Sequence, residues 1–148
     1  MIKIEQANIK DIDLLCDLLG MLFTQEEEFS PNLQKQREGL KHIISNPEIG
    51  LILVLKRNSI VVGMVNILFT ISTALGGKVA ILEDLIIQPE NRGNGDGSFL
   101  LNIAIETARK QGCLRITLLT DEINDGAVKF YLRHGFNKSE MTPLRMVF

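Results

Sequence analysis

Arg92-Gly93-Asn94-Gly95-Asp96-Gly97-Ser98 sets a glycine at every second position behind an arginine. Glycine reaches φ > 0 and carries no Cβ to hold an anion away. Arginine adds a fixed positive charge and a fork of donors. The run follows the apolar Leu85-Ile86-Ile87 and Pro89, and precedes Phe99–Arg109, whose apolar spacing predicts a helix. Amides of a first helical turn have no intrahelical acceptor and lie at the positive end of the dipole. Strand, glycine loop and helix together predict a turn that binds a phosphate. The spacing excludes a nucleotide P-loop, G-x-x-x-x-G-K-[ST], because no lysine precedes Ser98. A dinucleotide fingerprint fits poorly, because the pattern is G-x-G-x-G and sits past the middle of the chain.

Leu85, Ile87, Pro89, Arg92, Gly93, Gly95, Gly97, Ser98, Leu100 and Leu101 lie in one register. That register resembles the acyl-CoA loop of the GNAT superfamily of N-acetyltransferases, L-x-V-x-P-x-x-R-G-x-G-x-G-[ST]-x-L-L, with isoleucine in place of valine. A second stretch, Asn124 to Phe136, is similar to the same family's N-x-x-A-x-x-F-Y-x-x-x-G-F segment at every fixed position. The resemblance implies acetyl-CoA as co-substrate and direct transfer of its acetyl group to a primary amine. It implies that main chain from Arg92 through Gly93, Asn94, Gly95, Asp96 and Gly97 to Ser98 holds the diphosphate. Leu85, Ile86 and Ile87 would carry the pantetheine arm like an added strand, and Asn124, Ala127 and Phe130 would flank it. Asp96 departs from the family, which favours an apolar residue there. Its charge is expected to weaken CoA binding.

Acetyl transfer to an amine makes three demands. The amine, with a pKa near ~10.4 when lysine-like, must lose a proton. The thioester oxygen must be stabilised as charge develops on it, here by an amide near Leu85 to Ile87. The leaving thiolate must be protonated or stabilised. Tyr131, the chain's one tyrosine, stands where the family carries its acid. Glu83 is the candidate base, acting through a water. Asp84 points to the other face of a regular strand, unless a bulge intervenes. The Glu83–Asp84 pair resembles that of the diamine and some aminoglycoside acetyltransferases, which implies a small cationic acceptor. Asp84 and Glu27 are the candidate acceptor-binding residues, Glu27 from the acidic run Glu26-Glu27-Glu28. The rivals are a protein amino terminus or lysine as acceptor, and an acyl-CoA-binding sensor without turnover.

The periodicities predict elements that place these groups. Ile2–Glu5 reads as a strand, and Asn8–Phe23 as a helix capped by Asn8. Ser30-Pro31 reads as the start of a second helix running to Ser45. Leu51–Leu55, Ile60–Thr70 and Lys78–Ile87 read as three antiparallel strands. Leu114–Thr120 is a strand, Asn124 or Asp125 caps a helix ending at His134-Gly135, and Phe136–Ser139 and Leu144–Phe148 read as final strands. The expected fold is α/β with a mixed sheet, in the order βααβββαβαββ. At 148 residues the chain is long enough for one domain with a full core. A net charge of −2 without a basic cluster argues against nucleic acid. No apolar run approaches the ~20 residues of a membrane span. The start has no signal-peptide pattern, so a cytoplasmic location is expected. Cys16 and Cys113 read as buried free thiols, and no cluster has metal-ligand spacing. A sheet edge at the C-terminus could pair with a second copy to make a homodimer.

Overall fold

The computed structural model describes residues 1–25, 32–121 and 124–148. Its centre is a sheet of five strands in sequential order, β1 (Ile2–Gln6), β2 (Gly50–Arg57), β3 (Ile60–Ser72), β4 (Gly77–Ile87) and β5 (Ile116–Leu118). The first four pair antiparallel, and β5 runs parallel to β4. Helices α1 (Ile12–Gln25) and α2 (Leu33–Ser45) precede β2, α3 (Asp96–Lys110) joins β4 to β5, and α4 (Asp125–Arg133) follows β5.

Alternation along β2 explains its unbroken apolar run. Leu51, Leu53 and Leu55 pack with Leu100, Leu101 and Ala104 of α3. Ile52 and Val54 pack with Leu15 and Leu18 of α1 and Leu40 of α2. Successive side chains leave opposite faces of a strand, so a strand between two helical layers must be apolar at every position.

Caps set the helix ends. Asn8 and Asp11 form a reciprocal capping box around a 3-10 turn that leads into α1. The start of α2 differs from the expectation. Ser30 and Pro31 lie outside the described residues, and the cap is Asn32, whose Oδ1 accepts from the Lys35 amide at 3.0 Å. Helix α3 begins three residues before Phe99, at Asp96, directly on the glycine loop. Gly112, at φ +86, closes it, with its amide on the Arg109 carbonyl and the Cys113 amide on the Ala108 carbonyl, both at 3.0 Å.

The two C-terminal strands are not formed. Among the described residues no strand follows β5, and Phe136–Ser139 and Leu144–Phe148 have no ladder partner. Strand β5 is only three residues long, so it offers a new strand little edge. Pro143 has no amide to donate. Leu144, Met146, Val147 and Phe148 are exposed instead. The observed order is therefore βααβββαβα.

Candidate active site

Strand β4 carries the irregularity that builds the site. Its pairing with β3 slips between Met64 and Asn66: Asn66 faces Glu83, and Met64 faces Ile86. Asp84 and Leu85 thus share the space opposite Val65, a β-bulge. Asp84 takes φ +56, a left-handed conformation that is strained for a side chain bearing Cβ. The inward face changes parity there. Ala80 and Leu82 face the α3 side before the bulge, and Leu85 and Ile87 face it afterwards. Glu83 and Asp84 consequently both lie on the face away from α3, where a regular strand would part them, and both are among the residues that line one cleft.

The cleft, of ≈ 590 Å³, is the wedge where β4 and β5 separate. Their ladder runs only from Ala80↔Ile116 to Leu82↔Leu118. Beyond it, Glu83 to Ile86 form one wall and Leu119, Thr120 and Asp121 the other. The β4 edge is left open, as an added pantetheine strand would require. Asn124, Ala127 and Tyr131 of α4 close the floor at i, i+3 and i+7. Leu22, Pro143, Leu144 and Arg145 complete the rim.

Tyr131 is wedged between Phe130 and Phe136, with ring centroids 5.3 and 5.8 Å away in edge-on contact. Burial pushes its phenol up to about 12. Asn124 caps α4 through its Oδ1, which accepts from the Ala127 amide at 3.0 Å, so the same residue both starts the helix and faces the cleft. Phe130 packs in the core beside Gly97 and is absent from the cleft wall. His134 is a helix-end partner, its Nδ1 2.7 Å from the Phe130 carbonyl.

The glycine turn lies at the Arg92 end of the cleft. Arg92 Nε donates to the Ile87 carbonyl at 3.0 Å, tying its guanidinium to the end of β4. Gly93 and Gly95 take φ +83 and +82, and a Cβ on either would meet nothing within 4 Å. The turn needs glycine for its backbone angles, and the space above it is open. Gly95 is the N-cap of α3 and supplies no side-chain cap. The first ladder bond runs from the Phe99 amide to the Gly95 carbonyl, so the amides of Asp96, Gly97 and Ser98 have no i−4 acceptor within the helix. An open turn of positive φ followed by uncapped amides fits a diphosphate.

Asp96 does not face that turn. Its carboxylate is 3% exposed and takes two bonds from Arg57 at the end of β2, Nη2 to Oδ1 at 2.7 Å and Nε to Oδ2 at 3.0 Å. Glu27 lies outside the described residues. Sequence reasoning missed Arg57, and also Asn66, which is buried and donates from Nδ2 to Asp84 Oδ2 at 2.5 Å. It missed Asp121 and Arg145 as well. No local pattern marks any of the four. Cys16 is a buried free thiol, as expected, whereas Cys113 is free but only half-buried. Among the described residues no acidic, cysteine or histidine cluster could hold a metal, and no helix is long and apolar enough to cross a membrane.

Residues 13–136 match the acetyltransferase (GNAT) family model. Fold and site define an acetyl-CoA-dependent N-acetyltransferase, and the chain belongs to the GNAT family. An uncharacterized N-acetyltransferase of Methanocaldococcus jannaschii, MJ1207, is 40% identical over 72 residues, which are 47% of this chain and 32% of that protein's length. The aminoalkylphosphonate N-acetyltransferase of Salmonella typhimurium is 29% identical over 93% of this chain and 86% of its own. A possible acetyltransferase from Clostridium difficile 630 superposes with TM-score 0.90 at 17% identity, covering 100% of this chain and 98% of that one. A predicted acetyltransferase from Clostridium acetobutylicum, solved with acetyl-CoA, gives TM-score 0.80 at 20% identity over 98% and 96%.

Proposed function

We propose that the chain acetylates a small primary amine that reaches the cleft as a cation. The observation that carries this reading is the bulge at Asp84, which brings two adjacent carboxylates to the β4 face away from α3, at the cleft that also holds Tyr131. Asp121 adds a third acid on the opposite wall. An ammonium is drawn to such a wall, and a carboxylate, directly or through a water, can take its proton. Acetyl-CoA supplies the thioester and the acetyl group. The chain's part is to hold the diphosphate on the turn from Arg92 to Ser98, to lay the pantetheine arm along Leu85 to Ile87, and to present the Tyr131 hydroxyl to the sulfur.

A more specific reading has its own support. It is that the amine also bears an anionic group. The Salmonella relative acts, by its name, on aminoalkylphosphonates. Release of free thiol from acetyl-CoA, followed over plain diamines, aminoalkylphosphonates and peptides with free amino termini, tests both readings. Turnover with the small amines, and little with the peptides, supports the function. Peptide turnover alone shifts the assignment to a protein acetyltransferase. CoA binding without thiol release for any amine leaves a sensor.

The two free thiols suit a reducing, cytoplasmic setting. We place the homodimer contact on the exposed apolar residues Met146, Val147 and Phe148. Sedimentation velocity of the chain and of its M146S/V147S variant decides this. A monomeric wild-type chain removes the dimer.

A further inference from the structure

We propose that Arg57, far in sequence from the glycine turn, is a positioning residue for the CoA diphosphate, acting through Asp96. The two form a part-buried, two-bond pair at 2.7 and 3.0 Å. Asp96 is the first residue of α3, whose uncapped amides face the turn. An aspartate there adds negative charge beside the place where an anion must sit. Though suited to the positive end of the helix, it would offset that end's attraction for the diphosphate, and burial without a partner would cost it solvation.

Arg57 answers both difficulties. Its charge balances the carboxylate, and its fork fixes the first residue of the helix against the sheet. The anchor is rigid. Arg57 sits on β2 between two strands, paired with Ile2 on β1 and Ile60 on β3. A two-residue turn at Asn58 and Ser59, both at positive φ, follows directly. Arg57 is 37% exposed while Asp96 is 3% exposed, which makes the pair electrically unequal. Losing Asp96 leaves a cation that water can solvate, whereas losing Arg57 strands a buried anion next to the diphosphate.

That inequality gives the test. CoA affinity is measured by calorimetry for the wild-type chain, R57M, D96L and R57M/D96L. With a competent amine, KM is compared for acetyl-CoA and for S-acetylpantetheine, a thioester that has no diphosphate. R57M is expected to weaken CoA about tenfold, leaving the KM for S-acetylpantetheine unchanged. D96L, which loses the fork but leaves a cation that water can solvate, is expected to weaken CoA about threefold, and R57M/D96L to bind CoA as D96L does rather than as weakly as R57M. R57K, which keeps the charge and loses the fork, is expected to weaken CoA about threefold and stands in if R57M does not fold. Unchanged CoA affinity in R57M, equal losses for the two thioesters, or a double variant as weak as R57M overturns the proposal. A wild-type chain that binds no CoA would instead overturn the acetyl-CoA assignment on which it rests.

Discussion

Tyr131 combines a cleft position with a phenol pushed up to about 12 by burial. A thiol titrates near ~8.5, so handing the phenolic proton fully to a thiolate would run uphill. The proposed role is therefore donation of a hydrogen bond to the sulfur as charge develops there. Tyr131→Phe should lower kcat about ten- to a hundredfold with CoA affinity unchanged; steady-state kinetics beside calorimetry checks this. The same shift predicts a stability effect. The unfolded phenol titrates near ~10 and the folded one near 12. The raised value means that ionisation favours the unfolded chain, so stability present below pH ~10 is lost as pH rises toward 12. Urea midpoints over that window should fall less steeply for Tyr131→Phe than for the wild-type chain. Glu83 and Asp84 call for separate outcomes. If Glu83 takes the proton, Glu83→Gln moves the activity profile to higher pH. If Asp84 holds the ammonium, Asp84→Asn raises the amine KM about tenfold, with acetyl-CoA KM unaffected.

At the scale of elements, two departures from regular geometry make the site. One is the bulge in β4, where the left-handed Asp84 is held by the Asn66 amide. Asn66 Oδ1 is buried with no hydrogen-bond partner among the described residues. An unpaired buried acceptor costs about 1–3 kcal/mol, and a left-handed non-glycine residue about as much again. Asn66→Leu should consequently change the amine KM more than it changes stability, because it takes one bond from Asp84 while removing an unsatisfied group. Kinetics and a urea titration of the same variant read the two effects. The other departure is the start of α3. Gly95→Ala has room for its methyl but must adopt φ +82, at a cost of about 1–2 kcal/mol. CoA affinity should fall with it, since the amides that follow depend on that angle.

Over the whole molecule, one sheet separates two apolar layers, with α3 against one face and α1 and α2 against the other. The cleft exists because β4 belongs to both layers and yet is released by β5 after Leu82. Core packing behind α3 thus sets where the glycine turn stands. Leu101 is fully buried, and Leu101→Ala should cost about 2–5 kcal/mol of stability by chemical denaturation. Gly63 is a second such point. A Cβ there would lie 2.5 Å from Ile87 Cδ1, the end of a side chain that can turn aside, and 3.1 Å from the Ile86 carbonyl oxygen, so Gly63→Ala should repack Ile87 at a modest cost in stability.

Local chemistry alone was enough to specify the glycine turn, the helix after it, a cap at Asn124 or Asp125, of which the fold uses Asn124, and the covered strand at β2. Each depends on backbone angles, capping groups or a periodicity confined to a few neighbouring residues. The bulge was not legible, because Val79 to Leu82 and Leu85 to Ile87 are apolar throughout and a parity change among apolar residues leaves no mark. The Arg57–Asp96 and Asn66–Asp84 pairs were not legible either. Each joins residues on different elements, and only the stacking of those elements brings a donor to its acceptor. The C-terminal strands failed for the converse reason: a strand needs an edge to pair with, and β5 offers three residues. Sequence determined which groups could bind a diphosphate and assist acyl transfer; the fold decided which carboxylates share the cleft and which charge is neutralised, since burial and pairing depend on distant parts of the chain.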